Sequence, residues 1–125
     1  MSASRFAAIA AIPLLSLPSA AASQAPAVTI ELSSFSYAPS PIHLRAGRPV
    51  TLTFINRARG GHDFTARRFF ASSSITAGSA PGGEIELRGG QVQTITLVPR
   101  AGTYPVHCSH FLHRQMGMRT TIIVQ

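Results

Sequence analysis

Short segments in which apolar and polar residues alternate run along most of the chain. The clearest is 50–56, where Val50, Leu52 and Phe54 share one side of an extended strand and threonines occupy the other. Similar segments, separated by turn residues such as Gly and Pro, lie at 28–32, 42–44, 62–65, 84–87, 91–98, 103–108 and 120–124. This pattern predicts an all-β fold, a Greek-key β-sandwich of about seven to eight strands.

Two segments between these strands differ in character. Residues 34–41 contain two prolines and several serines and predict a bend. Residues 66–75 tolerate a helix, and the small and polar run 77–83 after them predicts a loop. We therefore expect one short helix, in the segment that follows 62–65.

The first 22 residues have the organisation of a signal peptide. Arg5 precedes the apolar stretch 6–17, and the small-residue segment 18–22 permits cleavage after Ala22. The apolar stretch is too short to span a bilayer and contains Pro13, so stable membrane insertion is not expected. The predicted organisation is a signal peptide at 1–22, a linker at 23–27 and one domain at 28–125, in the periplasm or an equivalent exported space.

Composition and charge restrict the classes of function. The chain has 125 residues, of which 45% are hydrophobic, enough for one domain with a core. Its basic residues are all arginine and give a formal net charge of +7, or +6 once Arg5 is removed with the leader. This charge favours acidic partners. The arginines form no long run and no platform with aromatic residues, so nucleic-acid binding is not expected.

The single cysteine, Cys108, needs an explanation in an exported protein. It cannot form an internal disulfide, so it is a metal ligand, a nucleophile or a buried apolar side chain. Catalysis is disfavoured because the loop after Cys108 contains no asparagine or aspartate to orient a histidine base, and acidic residues are scarce in the chain. We expect that the protein is not an enzyme.

The segment 108–118 concentrates soft metal ligands. It contains Cys108, two histidines and two methionines, a set that suits copper cycling between its two oxidation states. Residue chemistry alone leaves His110 and His113 as rivals for one ligand, and Met116 and Met118 as rivals for another, although hydrophobic packing is the usual fate of a residue such as Met116. A structural zinc site is less consistent with a methionine ligand.

A further imidazole must come from elsewhere in the chain. His62 opens a predicted strand directly after Gly60-Gly61, which lets the backbone turn sharply. His43 lies in an alternating segment and is predicted to be an ordinary surface or sheet residue. Because neighbouring residues of a strand point to opposite faces, His107 should face away from Cys108.

The C-terminal third resembles that of the cupredoxins, the plastocyanin-like small blue copper proteins. Gly102-Thr103-Tyr104 leads to Cys108, four residues separate Cys108 from His113, four more separate His113 from Met118, and a closing strand follows. His62 after two glycines is similar to the first ligand of that family. The resemblance covers almost all of the predicted domain and implies one type-1 copper, held by His62, Cys108, His113 and Met118. It also implies that Asp63 ties the two ligand loops together through a backbone N–H near Ser109.

The resemblance implies a one-electron carrier without substrate turnover, and the predicted signal peptide places it in an exported space. We expect a monomer that exchanges electrons with a redox protein, such as an acidic c-type cytochrome or an oxidase. Arg57, Arg59, Arg67, Arg68 and Arg114 flank the ligands in sequence, which would place positive charge around the copper, and Phe111 and Leu112 would supply an apolar docking surface. The alternative is copper storage, delivery or tolerance, to which the additional His107, His110 and Met116 give weight.

Overall fold

Two five-stranded β-sheets face each other in the computed structural model, which describes residues 1–4, 6–19 and 24–125. The described residues form ten strands and one α-helix, α1 (Arg67–Ser72). The strands are β1 (Ala27–Ser33), β2 (Ser36–Ala38), β3 (Ile42–Leu44), β4 (Val50–Asn56), β5 (His62–Thr65), β6 (Ser74–Ala77), β7 (Glu84–Leu87), β8 (Val92–Val98), β9 (Gly102–His107) and β10 (Arg119–Val124).

The connections repeatedly cross from one sheet to the other. The strand order is β2-β1-β4-β8-β6 in the first sheet and β3-β10-β9-β5-β7 in the second. The pairs β1–β4 and β3–β10 are parallel, whereas the other pairs are antiparallel. Parallel partners need a crossover connection, and here the chain visits the opposite sheet between them. The predicted all-β sandwich is confirmed.

The alternation in β4 has the predicted consequence for burial. Leu52 and Phe54 are fully buried between the sheets, whereas Thr51 and Thr53 are half-buried on the outer face. On that outer face the hydroxyl groups of Thr51 and Thr96 are 2.9 Å apart and join β4 to β8. The core therefore consists of the inward side chains of both sheets, as the period of two requires.

The count of strands exceeds the prediction because two short strands lie in segments predicted as irregular. β2 has three residues within the predicted bend, and β6 runs across the end of the helix-tolerant segment. All four residues of β6 are exposed, so this strand carries no alternation that a sequence pattern could reveal. The predicted short helix is confirmed as α1, which buries Phe69 and Phe70 but has no side-chain cap.

A tyrosine fixes the turn that leads into β9. The Tyr104 hydroxyl donates to the carbonyl oxygen of Arg100 at 2.9 Å. A Cβ atom on Gly102 would lie 3.0 Å from that hydroxyl oxygen, so the glycine leaves the space that the tyrosine occupies. This arrangement accounts for the Gly102-Thr103-Tyr104 sequence and sets the start of β9, the strand that leads to Cys108.

The N-terminal segment lies outside the two sheets. Residues 6–19 are exposed and form neither helix nor strand. The predicted cleavage site after Ala22 falls outside the described residues, and the signal peptide stays a prediction. In the part of the chain that is described, no helix has both the length and the apolar character needed to cross a membrane.

Candidate metal centre

Three segments bring the predicted ligands to one end of the second sheet. β5 begins at His62, β9 ends just before Cys108, and the ligand loop, residues 108–118, leads from β9 to β10. β5 and β9 are neighbours, with Thr65 opposite His107. Thr65 and His107 are the last residues of these antiparallel strands, so β5 runs beside the residues that follow β9. Its first residue, His62, therefore lies near Cys108, although 46 positions separate the two.

The side chains of His62, Cys108 and His113 converge on one point. The two imidazoles present their Nδ1 atoms, which are 3.2 Å apart. Cys108 Sγ lies 3.4 Å from Nδ1 of His113 and 4.0 Å from Nδ1 of His62. Cys108 is fully buried, His62 is nearly so, and His113 is half-buried. Three of the four predicted ligands thus lie together.

Met118 lies beside this group. Its side chain is fully buried. Its backbone N–H donates to the carbonyl oxygen of His113 at 3.0 Å, and its carbonyl oxygen accepts from the N–H of Cys108 at 3.1 Å. These two bonds fold the ligand loop back on itself, so that Met118, at the end of the loop, lies next to Cys108, at its start. Its role as the fourth ligand stays a prediction.

The second methionine of the loop has a different environment. Met116 is 57% exposed, so the hydrophobic packing predicted for it is wrong. The reason is the course of the loop, which turns through Gly117 at a φ of +94° and leaves the preceding residue on the surface. Burial therefore distinguishes the two methionines that residue chemistry left as rivals.

The three converging donor atoms fit a single first-row metal ion. Two nitrogens at about 2.0–2.1 Å and one sulfur at about 2.3 Å from a shared ion would be separated from one another by about 3.2–3.8 Å. The observed separations of 3.2, 3.4 and 4.0 Å are close to that range. A thiolate combined with imidazoles suits copper, so these residues fit the predicted cofactor.

Burial shifts the pKa values of Cys108 and His62 in opposite directions, and in both cases it favours the neutral side chain. It raises the pKa of the Cys108 thiol, against the opposing effect of the backbone N–H groups of Asp63 and His110. Burial, followed by the neighbouring His113, lowers the pKa of His62. Both side chains therefore favour their neutral forms without metal. Binding of a metal ion must displace the thiol proton, whereas the His62 imidazole is already available.

Asp63 connects the two ligand segments, as the resemblance implies. Its buried carboxylate accepts from the backbone N–H of Ser109 at 2.9 Å and also from the Ser109 hydroxyl group. The Thr65 hydroxyl donates to the same carboxylate at 2.8 Å. The backbone N–H of Asp63 points toward Cys108 Sγ at 3.4 Å. One residue thus fixes the start of the ligand loop and supports the sulfur atom.

The other three histidines lie in different environments. His43 is exposed, as predicted. His107 is half-buried, and burial followed by the charge of Arg114 lowers its pKa. His110, the rival of His113, is directed to the Glu86 carboxylate, with Nε2 at 2.9 and 3.1 Å from its two oxygens.

Three residues that support the site were not identified from sequence. The Phe35 ring meets the His113 ring edge-on, with centroids 5.1 Å apart, and its φ of +65° is rare for a bulky residue. The Tyr37 hydroxyl donates to the Asp63 carbonyl oxygen at 2.6 Å, and burial raises the pKa of this phenol. The buried Asn56 amide donates to the carbonyl oxygens of Gly60 and Leu87 and shapes the loop before His62.

The sequence contains an indication of a structural role for only one of these three residues, Asn56. An asparagine at the end of a strand before a glycine-rich loop is a recognised turn former, so Asn56 could have been identified. Nothing in the sequence around Phe35 or Tyr37 indicates that either residue reaches the site.

The arginines do not form the complete ring that their sequence positions suggested. Arg57 pairs with Glu31 at 2.9 Å on the exposed surface. Arg68 lies beside Arg100 and Tyr104, close to the turn before β9 and thus at the other end of that strand from Cys108. Arg114 lies within the ligand loop and is exposed.

The chain matches a family model and several solved structures. The model described as a cupredoxin-like domain matches residues 5–124. Reduced auracyanin from the photosynthetic bacterium Roseiflexus castenholzii is 18% identical, with a TM-score of 0.62 over 82% of this chain and 99% of that chain. Auracyanin A, a "blue" copper protein from Chloroflexus aurantiacus, is 19% identical, with a TM-score of 0.55 over 79% of this chain and 99% of that one.

Larger proteins share the fold as well. The McoA multicopper oxidase from Aquifex aeolicus is 12% identical, with a TM-score of 0.63 over 81% of this chain but only 29% of the oxidase chain. No curated protein matches the sequence. The family model covers nearly the whole chain, and the two-sheet sandwich agrees with it. The chain therefore belongs to the cupredoxin-like family.

Proposed function

We propose that this protein is an exported mononuclear type-1 copper protein that carries single electrons between redox partners. The observation that carries the proposal is the convergence of His62, Cys108 and His113, with the buried Met118 hydrogen-bonded through its backbone to Cys108 and His113. Bound copper would supply the one-electron couple. The order of charged, apolar and small residues in 1–22 supports export, and a mature N-terminus at Ser23 in secreted protein is the result that export predicts.

The framework around these residues suits electron transfer. His62 and Cys108 adjoin the paired strands β5 and β9. The loop that carries His113 and Met118 is held by Asp63 and by its own backbone hydrogen bonds. This framework holds the donor atoms close together, so little rearrangement is needed when the charge on the site changes. Small rearrangement is the property that a rapid electron carrier needs.

The copper spectrum tests this proposal. Oxidised, copper-loaded protein should show an intense sulfur-to-copper charge-transfer band, the paramagnetic resonance of one copper(II) species and a reversible potential. A Cys108→Ser variant should lose the band completely because a hydroxyl group cannot replace the thiolate. Met116→Leu is the matched control, since that methionine is exposed, and it should retain the band. Copper-loaded wild-type protein without the band would contradict the proposal.

The surface around His113 supports a protein partner. Phe111, Leu112 and Met116 are exposed on the ligand loop next to the half-buried His113, and Arg114 adds positive charge. Small apolar surfaces with complementary charge suit the brief contacts of redox proteins. The partner proposed here is an acidic redox protein, such as a c-type cytochrome or an oxidase, which would meet a monomer of this chain at the ligand loop.

The salt dependence of electron exchange tests the nature of the partner. The exchange rate with an acidic cytochrome should fall as ionic strength rises, because salt screens the attraction. Arg114→Gln should lower the rate at low salt, whereas Arg48→Gln, in the turn between β3 and β4 at the opposite end of the sandwich, should not. A rate that is independent of salt would exclude an electrostatic role for this surface.

Copper storage or delivery is the second candidate function. The exposed Met116 favours it, because a thioether at the surface beside the site could receive or release Cu(I). A carrier should lose copper slowly and cycle reversibly, whereas a delivery protein should exchange copper rapidly with a chelator.

A further inference from the structure

We propose that Glu86 holds His110 in a latch that pins the ligand loop and keeps this third imidazole from competing for the metal. The competition half of this inference rests on the proposed copper function, whereas the pinning half does not. We call these two side chains and their hydrogen bonds the His110–Glu86 latch. Glu86 and His110 would thus be positioning residues, since neither acts as a ligand in this assignment.

The latch closes between two separate parts of the fold. Glu86 lies on β7, at the edge of the second sheet, and His110 lies near the start of the ligand loop. The His110 Nε2 atom is within hydrogen-bond distance of both carboxylate oxygens, at 2.9 and 3.1 Å. A ring N–H that donates to a carboxylate makes a charge-assisted bond, which is stronger than a bond between neutral groups.

Gly61 leaves room for this contact, and a hydrogen bond to the backbone of Glu86 fixes the position of its carboxylate. A Cβ atom on Gly61 would lie 3.3 Å from Cε1 of His110 and 3.6 Å from Oε1 of Glu86, so the glycine backbone forms the floor beneath both groups. The Gln93 amide donates to the Glu86 carbonyl oxygen at 2.7 Å and holds the backbone of β7 at that position. The carboxylate is thereby presented at a defined place.

His110 is near enough to the thiol to be a competitor. One of its ring nitrogens, a carboxylate oxygen of Asp63 and Cys108 Sγ all lie within 4.8 Å of one another. Its ring also lies near those of His62 and His113, at centroid distances of 6.3 and 5.3 Å. Three imidazoles therefore surround one sulfur atom, and a freed His110 side chain could reach a metal bound there after a small rotation. The bond to Glu86 occupies Nε2, which also lies 3.8 Å from the Asp63 carboxylate, and holds the ring at this position.

The latch can be opened without disrupting the fold. The side chains of His110 and Glu86 are 31% and 52% exposed, and an exposed pair of this kind contributes little to global stability. The test uses the full protein with Glu86→Ala, His110→Gln, the double variant and Glu86→Gln, whose amide oxygen can still accept from Nε2. Glu31→Ala is the matched control, since it removes an exposed carboxylate that pairs with Arg57 on the other sheet.

Pinning is measured on copper-free protein. Amide hydrogen exchange of the ligand loop should be about twofold to fivefold faster in Glu86→Ala and in His110→Gln, the change expected from losing one partly exposed, charge-assisted hydrogen bond. Glu86→Gln should recover part of the protection, because its amide oxygen still accepts but carries no charge, and Glu31→Ala should match the wild type. Unchanged exchange in Glu86→Ala would overturn the pinning role.

Competition is measured by paramagnetic resonance of copper(II)-loaded protein. Glu86→Ala should show a second copper species that is absent or about twofold to fivefold less populated in the wild type, and the double variant should return to one species because the competing imidazole is gone. A single wild-type-like species in Glu86→Ala would overturn the competition role. A wild type without the sulfur-to-copper band would instead refute the proposed function and the competition role together, while the exchange result still decides the pinning.

Discussion

Asp63→Ala is expected to lower the free energy of unfolding by about 2–4 kcal/mol and to weaken copper binding about 10–100-fold. The substitution removes the acceptor for the Ser109 N–H, the Ser109 hydroxyl group and the Thr65 hydroxyl group. Since Asp63 is fully buried, water does not readily replace the carboxylate. Both segments that carry ligands lose their common attachment. Urea unfolding of the reduced, metal-free protein and competition with a copper chelator measure the two effects.

Two variants separate the carboxylate from the other contacts. Asp63→Asn keeps one acceptor oxygen and should retain part of both properties. Ser109→Ala removes one hydroxyl group but leaves the backbone N–H bonded to Asp63, so its effect on copper affinity should be smaller than that of Asp63→Ala. Equal copper affinity and equal reduction potential in Asp63→Ala and the wild type would show that Asp63 does not organise the site.

The part of the site that could be predicted from sequence consists of residues that lie close together along the chain. Cys108, His113 and Met118 lie within one loop, but residue chemistry left His110 and Met116 as rivals there, and the resemblance to the cupredoxins made the choice. An isolated histidine before a strand carries little information by itself; His62 became a candidate because the ligand loop needed a further imidazole and His62 follows two glycines. Asp63 followed from the same resemblance, and its bonds to Ser109 agree with the prediction.

The parts that could not be predicted depend on contacts between distant segments. Glu86 occupies an exposed position of an alternating strand, where an acidic residue is ordinary, and only the fold brings His110 to it. Phe35 reaches both ligand imidazoles from a two-residue turn between β1 and β2. Tyr37 belongs to a three-residue strand too short to show a pattern. Strand partners are equally nonlocal, which is why the parallel β1–β4 pairing was not foreseen.

Phe64→Ala is expected to destabilise the metal-free protein by about 3–5 kcal/mol, which corresponds to a melting temperature lower by roughly 15–30 °C. Phe64 is fully buried and lies between the sheets, with its ring centroid 4.9 Å from that of Phe54 on β4 and 5.6 Å from that of Tyr37 on β2. It also contacts Phe70 of α1, at a centroid distance of 6.1 Å. Truncation would leave a cavity where the first sheet, the second sheet and the helix meet.

Phe111→Ala is the matched control because the same change is made at a position that is 87% exposed. It should change the free energy of unfolding by no more than about 0.5 kcal/mol. Phe64→Leu, which fills more of the space, should lose less stability than Phe64→Ala. Equal stability of Phe64→Ala and Phe111→Ala in urea unfolding would contradict the packing of β5 between the sheets. Because β5 carries both His62 and Asp63, the same result would remove the basis for placing these two residues beside Cys108.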